Sequence, residues 1–297
     1  MEREREVEKE GGNNEQVVEK KEVKGKKIVG FLLSLMRRVP QFLDGLQEEK
    51  AWITAFGVLP ESRHLGIGSA LFDAALKRFN CFSRKEIAIS PYTPNYFIPG
   101  IDTEKYPEAI AFLHKRGWTV SSTPISMRAD TAGMQTPIEV MEIETALQRE
   151  GYHFRQIESN DIANLLQFIS KTFSWDWVRF CQDYLSELFG SGSDQICIYI
   201  ATRTKVSQGQ DEGEEEEEIV GYCQQRRERF GPFGVDPSMR SRGLGRILLF
   251  KCLSEMSAKG FHCAWFLWTD KEAARLYSVA GFKPVRTFSI MKLELAK

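Results

Sequence analysis

The sequence predicts an α/β fold: two related units in tandem, each built on a mixed, twisted sheet flanked by helices, with the first unit incomplete. Three observations predict it. Strand-like and helix-like segments alternate along most of the chain. The string F-G-V-x-P-x-x-R-x-x-G-x-G occurs twice, as FGVLPESRHLGIG from Phe56 to Gly68 and as FGVDPSMRSRGLG from Phe233 to Gly245. The length of 297 residues holds two units at a prior of about 150 residues each.

Residues 1–26 are charged and poor in aromatics, and are expected to form a disordered tail. KIVGFLLSLMRR (Lys27 to Arg38) and KAWITAFGV (Lys50 to Val58) read as two strands around a hairpin-like loop. After the first repeat, Leu71, Phe72, Ala75, Leu76 and Phe79 recur at helical spacing, so an amphipathic helix starts at the glycine turn. EIAIS is a short strand, and YPEAIAFLHKRGW a helix with Pro107 in its first turn and Gly117 as its stop. SSTPISMRADTAGMQTP is rich in turn formers and reads as a boundary, with IEVMEIETALQRE a helix bridging to the second half.

In the second half YHFRQI is a strand. SNDIANLLQFISKTF is a helix with an N-cap expected at Ser159 or Asn160, and SWDWVRFCQDYLSELF a second helix opened by Ser174. QICIYIATR is a strand, and VSQGQDEGEEEEE an acidic insertion expected at a solvated hairpin tip. IVGYCQQRRERFG and PFGV are strands; then come the helix RILLFKCLSEMSAKG, the buried strand FHCAWFLW, the helix KEAARLYSVAGF and the strand TFSIMKLEL. The segments after the two repeats match: helix, short strand, helix ending in Gly-aromatic. The segments before them do not, because the first half lacks a counterpart of the opening strand and two helices. The expected division is a tail (1–26), a partial domain (27–128), a linker and helix (129–150) and a complete catalytic domain (151–297).

Composition narrows the function classes. A net charge of −1 gives no sign of a nucleic-acid partner or an anionic membrane surface. The six cysteines are scattered, without C-x-x-C or histidines at ligand spacing, and read as buried apolar residues of a reducing compartment; no metal is expected. No apolar run reaches the ~18 residues of a membrane span, and the N-terminus does not read as a signal peptide, so the cytoplasm is the expected location.

The repeated string has a physical reading. A strand ends at Val235, Pro237 breaks the ladder, and Arg240, Gly243 and Gly245 form a turn into a helix. A helix start offers unpaired N–H groups and a positive dipole end, which suits a pyrophosphate. The amides from Ser241 through Arg242, Gly243, Leu244 and Gly245 to Arg246 are the expected donors, with the Arg240, Arg242 and Arg246 side chains adding charge. A Rossmann fingerprint would need a third glycine, and a P-loop would need G-K-[ST]; neither is present.

The arrangement V-x-P-x-x-R-x-x-G-x-G after a strand resembles the acyl-CoA signature of the GNAT superfamily of N-acetyltransferases, over about 152–297 in the second half and about 27–127 in the first. The resemblance implies acetyl-CoA as cosubstrate and direct attack by an amine. The strand carrying Phe233, Gly234 and Val235 is then expected to splay from its neighbour and pair with the pantetheine arm, with the Val235 amide stabilising the oxyanion. Tyr277, four residues before Gly281, stands where the superfamily often places the acid that protonates the leaving thiolate; its bland reading is a packed core aromatic. Asp270 replaces a frequent Asn at the end of the buried strand, and reads either as a base or cation anchor, or as the N-cap of the next helix.

In the first half the position matching Tyr277 is Leu113, followed by His114, so the two copies are expected to differ in work. Val58, Arg63, His64, Gly66 and Gly68 form a possible second CoA turn, left as scaffold or as one wall of the amine site. The aromatic loop SPYTPNYFIPGID (Ser90 to Asp102) suits a sugar or another polar ring, or else packs between domains, and with YPEAIAFL it resembles tandem-domain acetyltransferases of glucosamine or glucosaminides. Trp175 and Trp177 line an acceptor pocket or fill the core. The expected partner is a small-molecule amine, an amino sugar among the choices. The other readings are a protein or peptide N-acetyltransferase and a non-catalytic CoA-binding protein.

Overall fold

The computed structural model describes residues 27–41, 45–93, 96–205 and 216–295. The segment read as a charged tail and most of the acidic insertion lie outside these residues. The first half runs β1 (Gly30–Leu35), β2 (Lys50–Val58), α1 (Ile67–Cys81), β3 (Glu86–Ile89), β4 (Ile101–Asp102), α2 (Pro107–Lys115), β5 (Thr119–Ser122) and β6 (Ile125–Asp130). Helix α3 (Ile138–Arg149) links it to β7 (Tyr152–Gln156), α4 (Ile162–Thr172), α5 (Trp175–Gly190), β8 (Ile196–Lys205), β9 (Glu216–Arg226), β10 (Arg229–Val235), α6 (Leu244–Ala258), β11 (Cys263–Thr269), α7 (Lys271–Val279) and β12 (Lys283–Glu294).

Period-two alternation builds the second half's two faces. On β8, Ile196, Ile198 and Ile200 enter one core with α4 and α5, while Ala201, with Cys223 of β9, joins the other core under α3 and α6. Helix α6 is buried on most sides, from Leu244 through Ile247–Phe250 to Met256, because it lies between the sheet and α3. The N-cap expected at Ser159 or Asn160 is elsewhere. Those residues form a short 3-10 turn, and the Asp161 carboxylate accepts the Glu158 N–H (2.8 Å) and binds Arg155 (2.5 and 2.9 Å). The last glutamates of the acidic insertion extend β9, where Glu217 pairs with Arg155 at 3.1 Å.

Among the described residues, twelve strands join one sheet, in the order β1-β2-β3-β12-β6-β11-β10-β9-β8-β7, with β4 and β5 also paired to β12. The halves exchange strands. The segment read as a turn-rich boundary contains the end of β5 and the whole of β6; Pro124 follows β5, and beyond it Met127 and Ala129 alternate into the core. Strand β6 pairs antiparallel with β11 of the second half, from Cys263 opposite Asp130 to Thr269 opposite Ile125. Strand β12 opens against β6 and then crosses into the first half, pairing with β3 from Met291 to Glu294 and placing Met291 in that half's core. Among the described residues no helix is long and apolar enough to cross a membrane.

Candidate active site

Strands β10 and β11 are parallel neighbours that meet at one register position, Arg229 opposite Trp265, and then part. On its other edge β10 keeps pairing with β9 as far as Val235 opposite Gly221. Asp236 donates its N–H to Val220 at 2.9 Å. Bonded and non-bonded pairs alternate along an antiparallel ladder, so the Val235 N–H points away from β9, into the gap between β10 and β11. Phe173 sets the floor beside it: a Cβ on Gly234 would stand 2.3 Å from the Phe173 ring.

At the end of β10 the chain makes a 3-10 turn (Pro237–Met239), and Ser241 (φ +65°) and Gly243 (φ +97°) take left-handed backbone before α6 begins. Among the described residues the N–H groups of Ser241 through Gly245 carry no hydrogen bond. The Arg246 N–H, expected to be a donor to ligand, instead bonds Gly243 O at 3.0 Å as the helix's first turn tightens. The guanidiniums also divide. Arg242 is held by Glu150 (2.5 Å) and Tyr152 Oη (2.8 Å), whereas Arg240 and Arg246 have no partner among the described residues. Five unbonded amides and two free guanidiniums around one turn fit a pyrophosphate. Phe233, Val235 and the turn residues Arg240 to Arg246 all line one cleft of about 1210 Å³.

Tyr277 faces the same cleft from α7. Its ring lies 4.5 Å from Phe266 and 6.0 Å from both Phe230 and Phe233, and its hydroxyl makes no hydrogen bond among the described residues. Burial, with Cys223 and Asp270 nearby, pushes its phenol well above the ordinary tyrosine range, so the proton stays on. Asp270 is the N-cap of α7: its Oδ1 accepts the Ala273 N–H at 2.7 Å, Oδ2 has no hydrogen-bond partner among the described residues, and the residue lines the same cleft.

The far end of the cleft is shared. Thr93 and Tyr96 of the aromatic loop line it together with Phe173, Asp176, Trp177 and Phe180, and Tyr96 meets Trp268 edge-on at 5.8 Å. The first half therefore supplies a wall to the second half's cleft. Asp102 does not take part: it is buried, accepts the N–H groups of Glu104 and Lys105, and stabilises a turn. Trp177 stacks on Phe173 at 4.7 Å, and Trp175 lines an adjoining cavity of about 370 Å³. Asp176, between the two tryptophans, borders both spaces; it belongs to no motif that would have marked it in the sequence.

The first-half turn repeats the backbone of the second: His64 (φ +61°) matches Ser241, and Gly66 (φ +81°) matches Gly243. Its surroundings differ. Arg63 donates from Nε to Val58 O at 3.2 Å and approaches Glu108 at 3.7 Å, and Phe112 packs within 4 Å of the space beside Gly68. Leu113 is fully buried.

Two family models match: an acetyltransferase (GNAT) domain over residues 212–284 and the acetyltransferase (GNAT) family over residues 3–94. The chain is a tandem GNAT protein. The GNAT domains make it an acyltransferase by family. Among solved structures, this GNAT protein is similar to a glucosamine N-acetyltransferase region in a fungal multi-domain GH3 β-N-acetylglucosaminidase (TM-score 0.69, 19% identity, 90% of this chain and 32% of that one). It thus spans about a third of that protein's length. It is also similar to a GCN5-related N-acetyltransferase from Sphaerobacter thermophilus (TM-score 0.59, 15% identity, 90% and 76%) and to one from Kribbella flavida (TM-score 0.50, 14% identity, 91% and 89%). At these identities the likeness shows the fold. No curated protein matches. Among the described residues no cluster of three or more His, Cys, Asp or Glu could hold a metal ion.

Proposed function

We propose that the second half of this GNAT protein transfers an acetyl group from acetyl-CoA to the primary amine of a small molecule. One observation carries the reading: a single cleft runs from the unbonded amides of Ser241–Gly245, past the inward N–H of Val235, to the Tyr277 phenol. When bound, acetyl-CoA supplies the activated thioester carbonyl. The turn amides with Arg240 and Arg246 hold the phosphates. The Val235 N–H donates to the carbonyl oxygen as negative charge builds there. Tyr277, held protonated by its burial, turns its O–H toward the departing sulfur and donates a hydrogen bond that stabilises the thiolate as the C–S bond breaks. The neutral amine enters from the end walled by Tyr96, Trp268 and Trp177, with Asp176 and the free oxygen of Asp270 placed to take its proton.

Aromatic walls suit the apolar faces of a sugar ring, and the fungal relative in fold is called a glucosamine N-acetyltransferase region, so an amino sugar is the first acceptor to try. The test is release of free thiol from acetyl-CoA over a panel of amino sugars, polyamines, aminoglycosides and peptides. Turnover on a small amine supports the reading, and turnover confined to peptides replaces the acceptor class. Tight acetyl-CoA binding with no release on any amine overturns catalysis in favour of a CoA-binding role.

A further inference from the structure

The cavity of about 370 Å³ beside the cleft holds a buried cation that has no counter-ion among the described residues. Arg37, from the segment after β1, is only 7% exposed. Its Cζ lies 5.4 Å from the Trp52 ring centre and 5.0 Å from that of Tyr92, so two aromatic faces hold the guanidinium. Nη2 donates to Thr93 O at 3.0 Å, and Gln41 donates to the same oxygen at 3.2 Å. Nε is buried with no hydrogen-bond partner among the described residues. No carboxylate among the described residues pairs with Arg37: Glu86, in the same cavity, is taken by Lys50 at 3.6 Å, and Asp176 accepts from Ser174 Oγ.

A buried charge is normally paired, because leaving water costs it more than packing returns. A guanidinium fork matches the two oxygens of a carboxylate or a phosphate. The cavity is not remote. Thr93, Phe173, Ser174 and Asp176 line both it and the cleft that ends at Tyr277. A molecule that presents its amine to the cleft can thus extend a second group toward Arg37.

We infer that the acceptor carries an anionic group, carboxylate or phosphate, as well as its amine, and that Arg37 of the first half reads that anion. Asp176, at the mouth shared by the two spaces, faces the amine end. This rests on the acetyl transfer proposed above and narrows its substrate class to amines that are also anions. It gives the first half a specificity role in place of its own chemistry.

Matched acceptors test it: glucosamine against glucosamine 6-phosphate, and a free amino acid against its carboxamide. Binding by calorimetry and thiol release are both measured on the full chain. The anionic member of one pair is expected to bind at least tenfold tighter, and the pair that shows it tells phosphate from carboxylate. In Arg37→Gln the advantage should fall below threefold, with acetyl-CoA affinity unchanged; Arg37→Lys should keep part of it. Equal affinity within both pairs for the wild type overturns the inference, as does an advantage that survives in folded Arg37→Gln. If the glutamine variant does not fold, the wild-type pairs and the lysine variant decide. Anion preference without thiol release would sink the acetyl-transfer reading and leave the anion site standing. Equal turnover of charged and neutral acceptors would do the reverse.

Discussion

Ile143 of the linking helix rests against the turn from β10 into α6, so that a Cβ built on Gly243 would stand 2.6 Å from Ile143 Cγ2. Glycine is needed there twice, once for this approach and once for a φ of +97°. Gly243→Ala should therefore cost stability before any ligand is considered, by about 2–4 kcal/mol from the left-handed backbone and the overpacking together. Adding Ile143→Ala should return the packing part and leave the backbone part. Urea denaturation measures the stability, and titration with acetyl-CoA should show weaker binding in the single variant. A Gly243→Ala chain as stable as wild type would show that the turn relaxes freely.

Tyr277→Phe keeps the ring in its contacts with Phe266, Phe230 and Phe233 and removes a hydroxyl that has no protein partner among the described residues. Stability and acetyl-CoA affinity should stay close to wild type while kcat drops at least tenfold. The direction of the pKa shift sets the pH profile. The acid must be protonated to act, and burial raises its pKa, so activity due to Tyr277 persists through the ordinary tyrosine range and falls only above it. An unchanged kcat in the phenylalanine variant would remove Tyr277 from the chemistry.

One acetyl-CoA should bind per chain. The first-half turn has the right backbone, yet Arg63 occupies the Val58 carbonyl on the strand edge where a pantetheine arm would pair. Calorimetry of the wild type should give a stoichiometry near one. Gly243→Ala should weaken that event, whereas Gly66→Ala, with nothing within 4 Å of its Cβ, should leave it intact. A stoichiometry of two would make the first turn a working site.

The parts legible in the sequence are those set by local chemistry. The two turns are readable because glycine spacing encodes left-handed backbone, and Tyr277 is marked by the resemblance to the GNAT superfamily, four residues before the helix stop at Gly281. Asp270 gives both of its readings at once, and the cap is the one its 2.7 Å bond to Ala273 displays. The hidden parts depend on residues brought together from both halves. Arg37 and Asp176 carry no motif, Tyr96 belongs to the aromatic loop that the sequence does mark, and the spaces they share exist only because the halves pack against each other. Strand β6 is hidden for a different reason: Ser, Thr, Pro and Gly on both sides make Ile125–Asp130 look like a loop, while its pairing partners lie on β11 and β12, far along the chain.

The same exchange makes neither half self-sufficient. Strand β11 borders β6 across Ala264 and Trp265, opposite Ala129 and Arg128, and β12 buries Phe288 and Met291 completely after crossing over. A chain of residues 151–297 alone would bare the edge of β11 and release the apolar second part of β12, an open strand edge beside unburied Phe and Met. Ending the full chain after Phe282 would open the first half between β3 and the rest of the sheet. Both truncations should lose cooperative unfolding in urea and gain binding of an apolar dye, and mixing residues 1–150 with 151–297 should restore part of the cooperative transition. If residues 151–297 unfold cooperatively alone at wild-type stability, the paired strands β6 and β12 are not what holds the two halves together.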